Sequence, residues 1–266
     1  MTQSKFALVA IATLLFASHV VGAEPVKKKL LLLGQKPDGH PPGTHEYLPG
    51  LRVLAKCLAN VPGIEATVVQ ADGNWPEGPE LLKTADGVVM FLSEGAAWIQ
   101  TDSTRLAAFQ ALAARGGGCS VIHWGMGTKE ARNIEAFVKI FGGCHGGPDR
   151  RYKVVEADVR LPNARHPIAS GIEPLSLKEE FYYQLKFAPL AKGIEPIVQV
   201  TIDDAPQTVS WAWDRPDGGR SFGFSGLHFH DNWQHVQYRR LLAQGALWTL
   251  RLPIPEQGLD VKIRDE

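Results

Sequence analysis

The sequence predicts an α/β fold in which a mostly parallel central sheet is covered by helices on both faces. Three observations carry this: short runs that are apolar at every position, helical-period segments between them, and turn residues bounding each. A strand apolar at consecutive positions is buried on both sides, and such strands alternating with helices form crossover units of a parallel sheet.

The elements follow in order. Residues 30–33 are all leucine and end at Gly34, giving the first strand. A polar loop rich in Gly, Pro and His spans 35–44. Leu51, Leu54, Ala55 and Leu58 then recur at helical spacing until Val61-Pro62-Gly63. Residues 66–69 and 87–92 are the second and third strands. Asp102 and its neighbours Thr101 and Ser103 can cap a helix carrying Leu106, Phe109 and Leu112, which Gly116-Gly117-Gly118 terminates. Residues 120–123 are the fourth strand, and Gly125 to Thr128 is expected to turn directly into a helix reaching Phe141. Beyond that, 152–159 and 196–202 read as strands. The segments 208–215 and 220–225 flank Pro216-Asp217-Gly218-Gly219, a hairpin signal near the C-terminus. Tyr238, Leu241, Leu242, Gly245 and Trp248 mark a closing helix. No repeat or linker divides the chain, so residues 24–266 are expected to form one domain.

Composition narrows the classes of function. With 44% hydrophobic and 21% charged residues, disorder, collagen-like repeats and coiled coil are set aside. The 28 Lys and Arg balance 28 Asp and Glu, which leaves no electrostatic footprint for nucleic acid or an anionic membrane. Residues 1–23 hold Lys5, an apolar run and Val21-Gly22-Ala23, the pattern of a secretory signal peptide cleaved after Ala23. The apolar run is shorter than the roughly 20 residues of a membrane span. The expected location is therefore periplasmic or extracellular, with no span after cleavage. Cys57 and Cys119 read as core residues; Cys144, placed in a glycine-rich loop, is left able to pair or stay free.

Ligands of open parallel sheets bind beyond the carboxyl ends of the strands. The first strand leads to His40 and His45, the third to Ser93-Glu94, the fourth to His123-Trp124, and the strand at 220–225 to His228 and His230. Five of the eight histidines of the mature chain thus gather at one predicted rim. His123 also fits a buried core histidine, and His40 an ordinary loop residue. His228 and His230 share a side if the chain between them is extended. His145 and His166 read as turn residues. The run Glu179-Glu180-Phe181-Tyr182-Tyr183 pairs two acids with two tyrosines. Familiar chemistries are missing: the turn at Ile122 to Gly127 has no Ser, Thr or Cys at its centre, and Cys119 lies over roughly 10 Å upstream along the strand. The chain lacks a G-x-G-x-x-G fingerprint after the first strand and the close-spaced pairs that open common zinc motifs.

His40-Pro41-Pro42-Gly43-Thr44-His45-Glu46-Tyr47, Arg115-Gly116-Gly117-Gly118, Ile122-His123-Trp124-Gly125, Phe141-Gly142-Gly143, His166-Pro167-Ile168, Glu180-Phe181-Tyr182, Gly219-Arg220-Ser221-Phe222 and Gly226-Leu227-His228, in this order, resemble the trehalose-utilisation (ThuA-like) family. The export signal and the 40–47 segment resemble its secreted members in Planctomycetes-type bacteria. The resemblance implies a flavodoxin-like three-layer sandwich of the class I glutamine amidotransferase-like superfamily, without the amidotransferase Cys nucleophile. It also implies a role in disaccharide or keto-sugar catabolism. By position, His45, His123, Glu180 and His228 match the polar residues of the family cleft, and Leu227 stands where the family carries glycine.

Three readings follow. In the first, an exported enzyme acts on a small-molecule carbohydrate, with His123 and His228 as acid–base groups and Glu180 assisting. His40, His45, Trp124, Tyr182, Arg220 and His230 would bind the substrate. In the second, His45, His123, Glu180 and His228 hold a divalent metal such as zinc. In the third, tryptophans in or near loops, Trp98, Trp124, Trp211, Trp213 and Trp233, stack on sugars in a non-catalytic module.

Overall fold

The computed structural model describes residues 26–188 and 193–263. The expected signal segment 1–23 lies outside them. Among the described residues no helix is long and apolar enough to cross a membrane.

The elements are β1 (Lys28–Gly34), α1 (Tyr47–Leu58), β2 (Ile64–Gln70), α2 (Gly78–Thr84), β3 (Gly87–Phe91), α3 (Gly95–Trp98), α4 (Ser103–Ala114), β4 (Gly118–Ile122), β5 (Gly127–Thr128), α5 (Ile134–Phe141), β6 (Gly143–Gly146), β7 (Arg151–Val159), β8 (Leu175–Tyr183), β9 (Lys186–Phe187), β10 (Ile194–Ile202), β11 (Ala205–Asp214), β12 (Arg220–Phe224) and α6 (Val236–Thr249). The main sheet runs β10-β11-β12-β4-β3-β1-β2. Its β2-β1-β3-β4-β12 part is parallel, and β11 and β10 extend it antiparallel through the predicted hairpin. The order 2-1-3-4-5 of the parallel strands is that of flavodoxin, whose ligand crevice opens between the first and third strands.

The all-leucine β1 shows why both faces need cover. Leu30 and Leu32 enter one core with Leu51 and Leu54 of α1 and Leu242 and Leu247 of α6. Leu31 and Leu33 enter a second core with Leu82 of α2, Phe109 and Leu112 of α4 and Phe137 of α5. Three layers result, as expected. Asp102 caps α4, its carboxylate accepting from the Arg105 N–H at 2.8 Å. Asp102→Ala should cost about 1 kcal/mol, read as a lower urea midpoint with an unchanged m-value.

The chain departs from expectation between β4 and α5. Instead of one helix from Gly125, it makes a 3₁₀ turn over His123–Met126, the short β5, a second 3₁₀ turn and only then α5. A Cβ at Gly125 would sit 2.6 Å from the Met90 carbonyl, so these glycines serve close approach to β3 rather than helix entry. The presumed loop around Cys144 is the buried strand β6, and the Cys144 thiol donates to the Met126 carbonyl at 3.2 Å. All three thiols are buried and free. β7 and β8 form a separate antiparallel ribbon, tied to the sheet edge where Arg160 and Gln199 exchange backbone hydrogen bonds.

Candidate active site

Four parallel strand ends and the end of β8 surround a cleft of about 380 Å³. The backbone there is strained. Of nine non-glycine residues with left-handed φ among the described residues, four stand at this rim: His45 (51°), Glu94 (44°), His123 (46°) and Leu227 (78°). Such conformations cost of order 1–3 kcal/mol each and persist where the surroundings over-determine them. Leu227 is held by the buried Glu179. The Glu179 carboxylate accepts from the N–H groups of Leu227 (2.8 Å), His228 (3.1 Å) and Phe229 (3.4 Å), and from the Asn232 amide (2.9 Å). Burial pushes the Glu179 carboxyl up to about 7, against the pull of those donors.

Alternation along β8 turns Glu179 inward and Glu180 toward the cleft. Burial likewise raises Glu180 to about 7. Its Oε1 lies 3.5 Å from His228 Nδ1 and 3.9 Å from His123 Nε2. His123 is wholly buried beneath the floor. Its Nδ1 donates to the Ser225 carbonyl at 2.7 Å, while its Nε2 lies 3.0 Å from both the Tyr182 hydroxyl and His45 Nε2. Burial first, then the neighbouring His45, drives the His123 pKa well below its ordinary value. His45 Nδ1 donates to Asp38 Oδ2 at 3.0 Å, and Tyr47 donates to the same oxygen at 2.6 Å. Against a burial that would raise it, hydrogen bonds from His45, Tyr47 and His40 hold the Asp38 carboxyl well below the usual range. His228 is lowered to about 4 by burial and by His45. The donor atoms of His45, His123 and His228 lie within 4.8 Å of one another, as do those of Asp38, His40 and His45; these two groups could hold a metal ion.

The structure therefore brings together His45, His123, Glu180 and His228, with His40, Trp124 and Tyr182 around them. It leaves two expected residues outside. Arg220 begins β12, at the far end of the sheet, where it pairs with Asp214 at 2.8 Å and covers the Trp248 ring. His230, where a 3₁₀ turn begins, faces Glu46 and a different hollow. His123, expected to meet the substrate, lies buried beneath the floor and does not itself line the cleft. Trp98, Trp211, Trp213 and Trp233 are core residues, so of the five tryptophans proposed for sugar stacking only Trp124 lines the cleft.

The sequence reading passed over Asp38 and His145. Asp38 is one short acid in a glycine- and proline-rich loop, with nothing local to mark it. His145 lies in β6, buried and stacked on Tyr182 with ring centroids 3.8 Å apart. The glycines around it read as a turn, although the parallel pairing of β6 with β5 makes it a strand.

The trehalose-utilisation (ThuA) family profile matches residues 39–249. No curated protein matches the chain. Among solved structures, the chain is similar to a putative ThuA-like protein from Bacteroides uniformis, with 16% identity, 86% of this chain and 93% of that one covered, and a TM-score of 0.64. It is similar to another from Parabacteroides merdae, with 16% identity, 84% and 90% covered, and a TM-score of 0.61. A GH42 β-galactosidase from G. stearothermophilus shares the fold over 86% of this chain and 30% of its own, with 11% identity and a TM-score of 0.54. At these identities the structures establish the architecture, and the profile, spanning most of the sequence, establishes kinship: the chain belongs to the trehalose-utilisation (ThuA) family.

Proposed function

We propose that this protein is an exported enzyme of sugar catabolism, a secreted family member of the Planctomycetes type, acting on a small disaccharide or keto-sugar. The observation that carries this reading is the composition of the cleft. Its volume of about 380 Å³ lies at the lower end of small-ligand sites, roughly 300–1,000 Å³, so a ligand of one or two rings fits within it. Trp124 and the exposed Tyr152 offer aromatic faces, and Asp38, Lys129 and Arg150 offer charged partners for hydroxyls. Glu180 faces this space, and burial lifts its carboxyl toward neutral pH, the range suited to proton transfer. In this reading Glu180 moves a proton beside a sugar carbonyl or at a glycosidic oxygen, and His228 flanks the same ligand. His123 acts through His45 and Tyr182. An acyl-enzyme route has no nucleophile at the elbow after β4, where His123 stands.

The test is incubation with a 3-keto disaccharide and its unoxidised parent, products being followed by mass spectrometry. Consumption of the keto-sugar is expected, with kcat lowered about 10²- to 10⁴-fold in Glu180→Gln while far-UV circular dichroism is unchanged. Binding without product would replace the enzyme by a carbohydrate-binding module. Undiminished turnover by Glu180→Gln would remove the acid–base assignment.

A further inference from the structure

We infer that His45, His123 and His228 form a binding site for one divalent transition-metal ion of the zinc class at the floor of the cleft. This deepens the reading above only in using the same cleft; it does not depend on the ligand being a sugar.

The argument is one of proton placement. The Ser225 carbonyl can only accept, so the His123 Nδ1 at 2.7 Å carries the hydrogen, and the Nε2 of the neutral ring presents a lone pair. Asp38 fixes His45 in the same way: its Oδ2 accepts from Nδ1 at 3.0 Å, so His45 Nε2 is also a lone pair. Yet the two Nε2 atoms face each other at 3.0 Å. Two acceptors at that distance repel unless something positive lies between them or beside both. The Tyr182 hydroxyl, 3.0 Å from His123 Nε2, can satisfy one of them and leaves the other. The third ring adds an independent sign: His228 Nδ1 is buried and makes no hydrogen bond, with Glu180 Oε1 beside it at 3.5 Å.

A cation satisfies all three nitrogens together. Two nitrogens bound to one ion at about 2.0–2.1 Å lie about 2.9 Å apart at a right angle and about 3.3 Å apart at the tetrahedral angle, and the observed 3.0 Å falls between, nearer the right angle. The third donor atom lies within 4.8 Å of the others, and a small turn of the His228 ring closes the set. Imidazole donors select zinc and its transition-metal neighbours over magnesium or calcium. The Asp38–His45 and Ser225–His123 pairs are the outer-shell contacts that orient metal-bound histidines. Glu180 Oε1 stands beside the site, and the side toward the cleft is open, as a substrate-binding position requires. A sequence search for close-spaced ligand pairs misses such a centre, because its three histidines arrive from three different strand ends.

The experiment uses the untagged full chain, stripped with chelator and titrated with Zn²⁺ or Co²⁺ alone. Calorimetry should give one ion per chain, and Co²⁺ should add visible absorption bands. His45→Ala and His228→Ala should each weaken binding at least about 100-fold, and Asp38→Asn about 10- to 100-fold. Because a floor variant can fail to fold, thermal unfolding provides a second readout. Zn²⁺ should raise the melting temperature of the wild type but not that of His228→Ala. Absence of stoichiometric uptake by the wild type, or equal uptake by His228→Ala, overturns the site and leaves a shared proton between His45 and His123 as the account. Tight binding with no turnover of any sugar upholds the metal site and sinks the function proposed above. Full turnover by metal-free protein that binds no ion does the reverse.

Discussion

Glu179→Ala should lower the melting temperature by about 10 °C or more. The side chain is wholly buried. Its two oxygens accept from the Leu227, His228, Phe229 and Glu180 amides, from the Asn232 side chain and from the Tyr238 hydroxyl at 3.4 Å. Leaving a buried donor unpaired costs about 1–3 kcal/mol, and breaking a buried charged network typically costs about 3–5 kcal/mol. For a chain of this size each kcal/mol is worth about 2–4 °C. The loss is local as well as global, because this carboxylate holds Leu227 in a conformation that a leucine avoids. Hydrogen exchange at the Leu227, His228 and Phe229 amides should accelerate far more than in α4. Glu179→Gln keeps the volume but turns one acceptor into a donor facing donors, so an intermediate loss is expected. A melting temperature within 2 °C of wild type for Glu179→Ala would show that these amides find water or other partners, and the clamp would be discarded.

What was legible in the sequence follows from what burial does to patterns. The apolar runs of β1, β3 and β4 announced themselves because both faces of each strand are covered, and the strand ends then located the histidines of the cleft. Leu175, Leu177 and Phe181 alternate with polar residues along β8, a period-two signal obscured by acids at both 179 and 180. That alternation separates two neighbouring glutamates into a buried clamp and a cleft-facing carboxyl, a distinction of roles that composition cannot supply. Arg220 was misplaced by about one strand length, roughly 15 Å, because its motif opens β12 while the cleft lies where β12 ends. His230 was misplaced because it opens a 3₁₀ turn, which the spacing of two histidines does not reveal. Asp38 meets His40, His45 and Tyr47 within nine residues, but through a loop with no repeating period to mark it. The convergence of the Nε2 atoms depends on a contact across 78 residues between His45 and His123, which no local pattern encodes.

In the presence of chelator, acidification from pH 7.5 to pH 5 should lower the melting temperature by at least about 4–8 °C. Burial drives His123 well below its ordinary pKa, His145 to about 3 and His228 to about 4. For each, the folded pKa is depressed below the unfolded value of about 6.5. Their neutral forms therefore stabilise the fold fully above pH 6.5, and that contribution is lost as pH falls, when the unfolded chain takes up protons that the native state refuses. Glu179 and Glu180 oppose this. Burial raises both to about 7, so between pH 7 and about 4.5 the native state takes up protons that the unfolded chain does not, which favours folding on acidification. Three histidines outweigh two acids, and His45 and His166, both lowered by burial, add to the same side. A net of at least one proton is worth about 1.4 kcal/mol per pH unit, about 2 kcal/mol between pH 6.5 and 5. His145→Phe retains an aromatic ring against Tyr182 while removing one of these titrations, so its melting temperature should fall less steeply over the same range. A wild-type melting temperature that is flat or rising toward pH 5 would mean that the imidazoles accept protons in the folded state. The floor of the cleft would then be a cluster of cations, unfit to receive another.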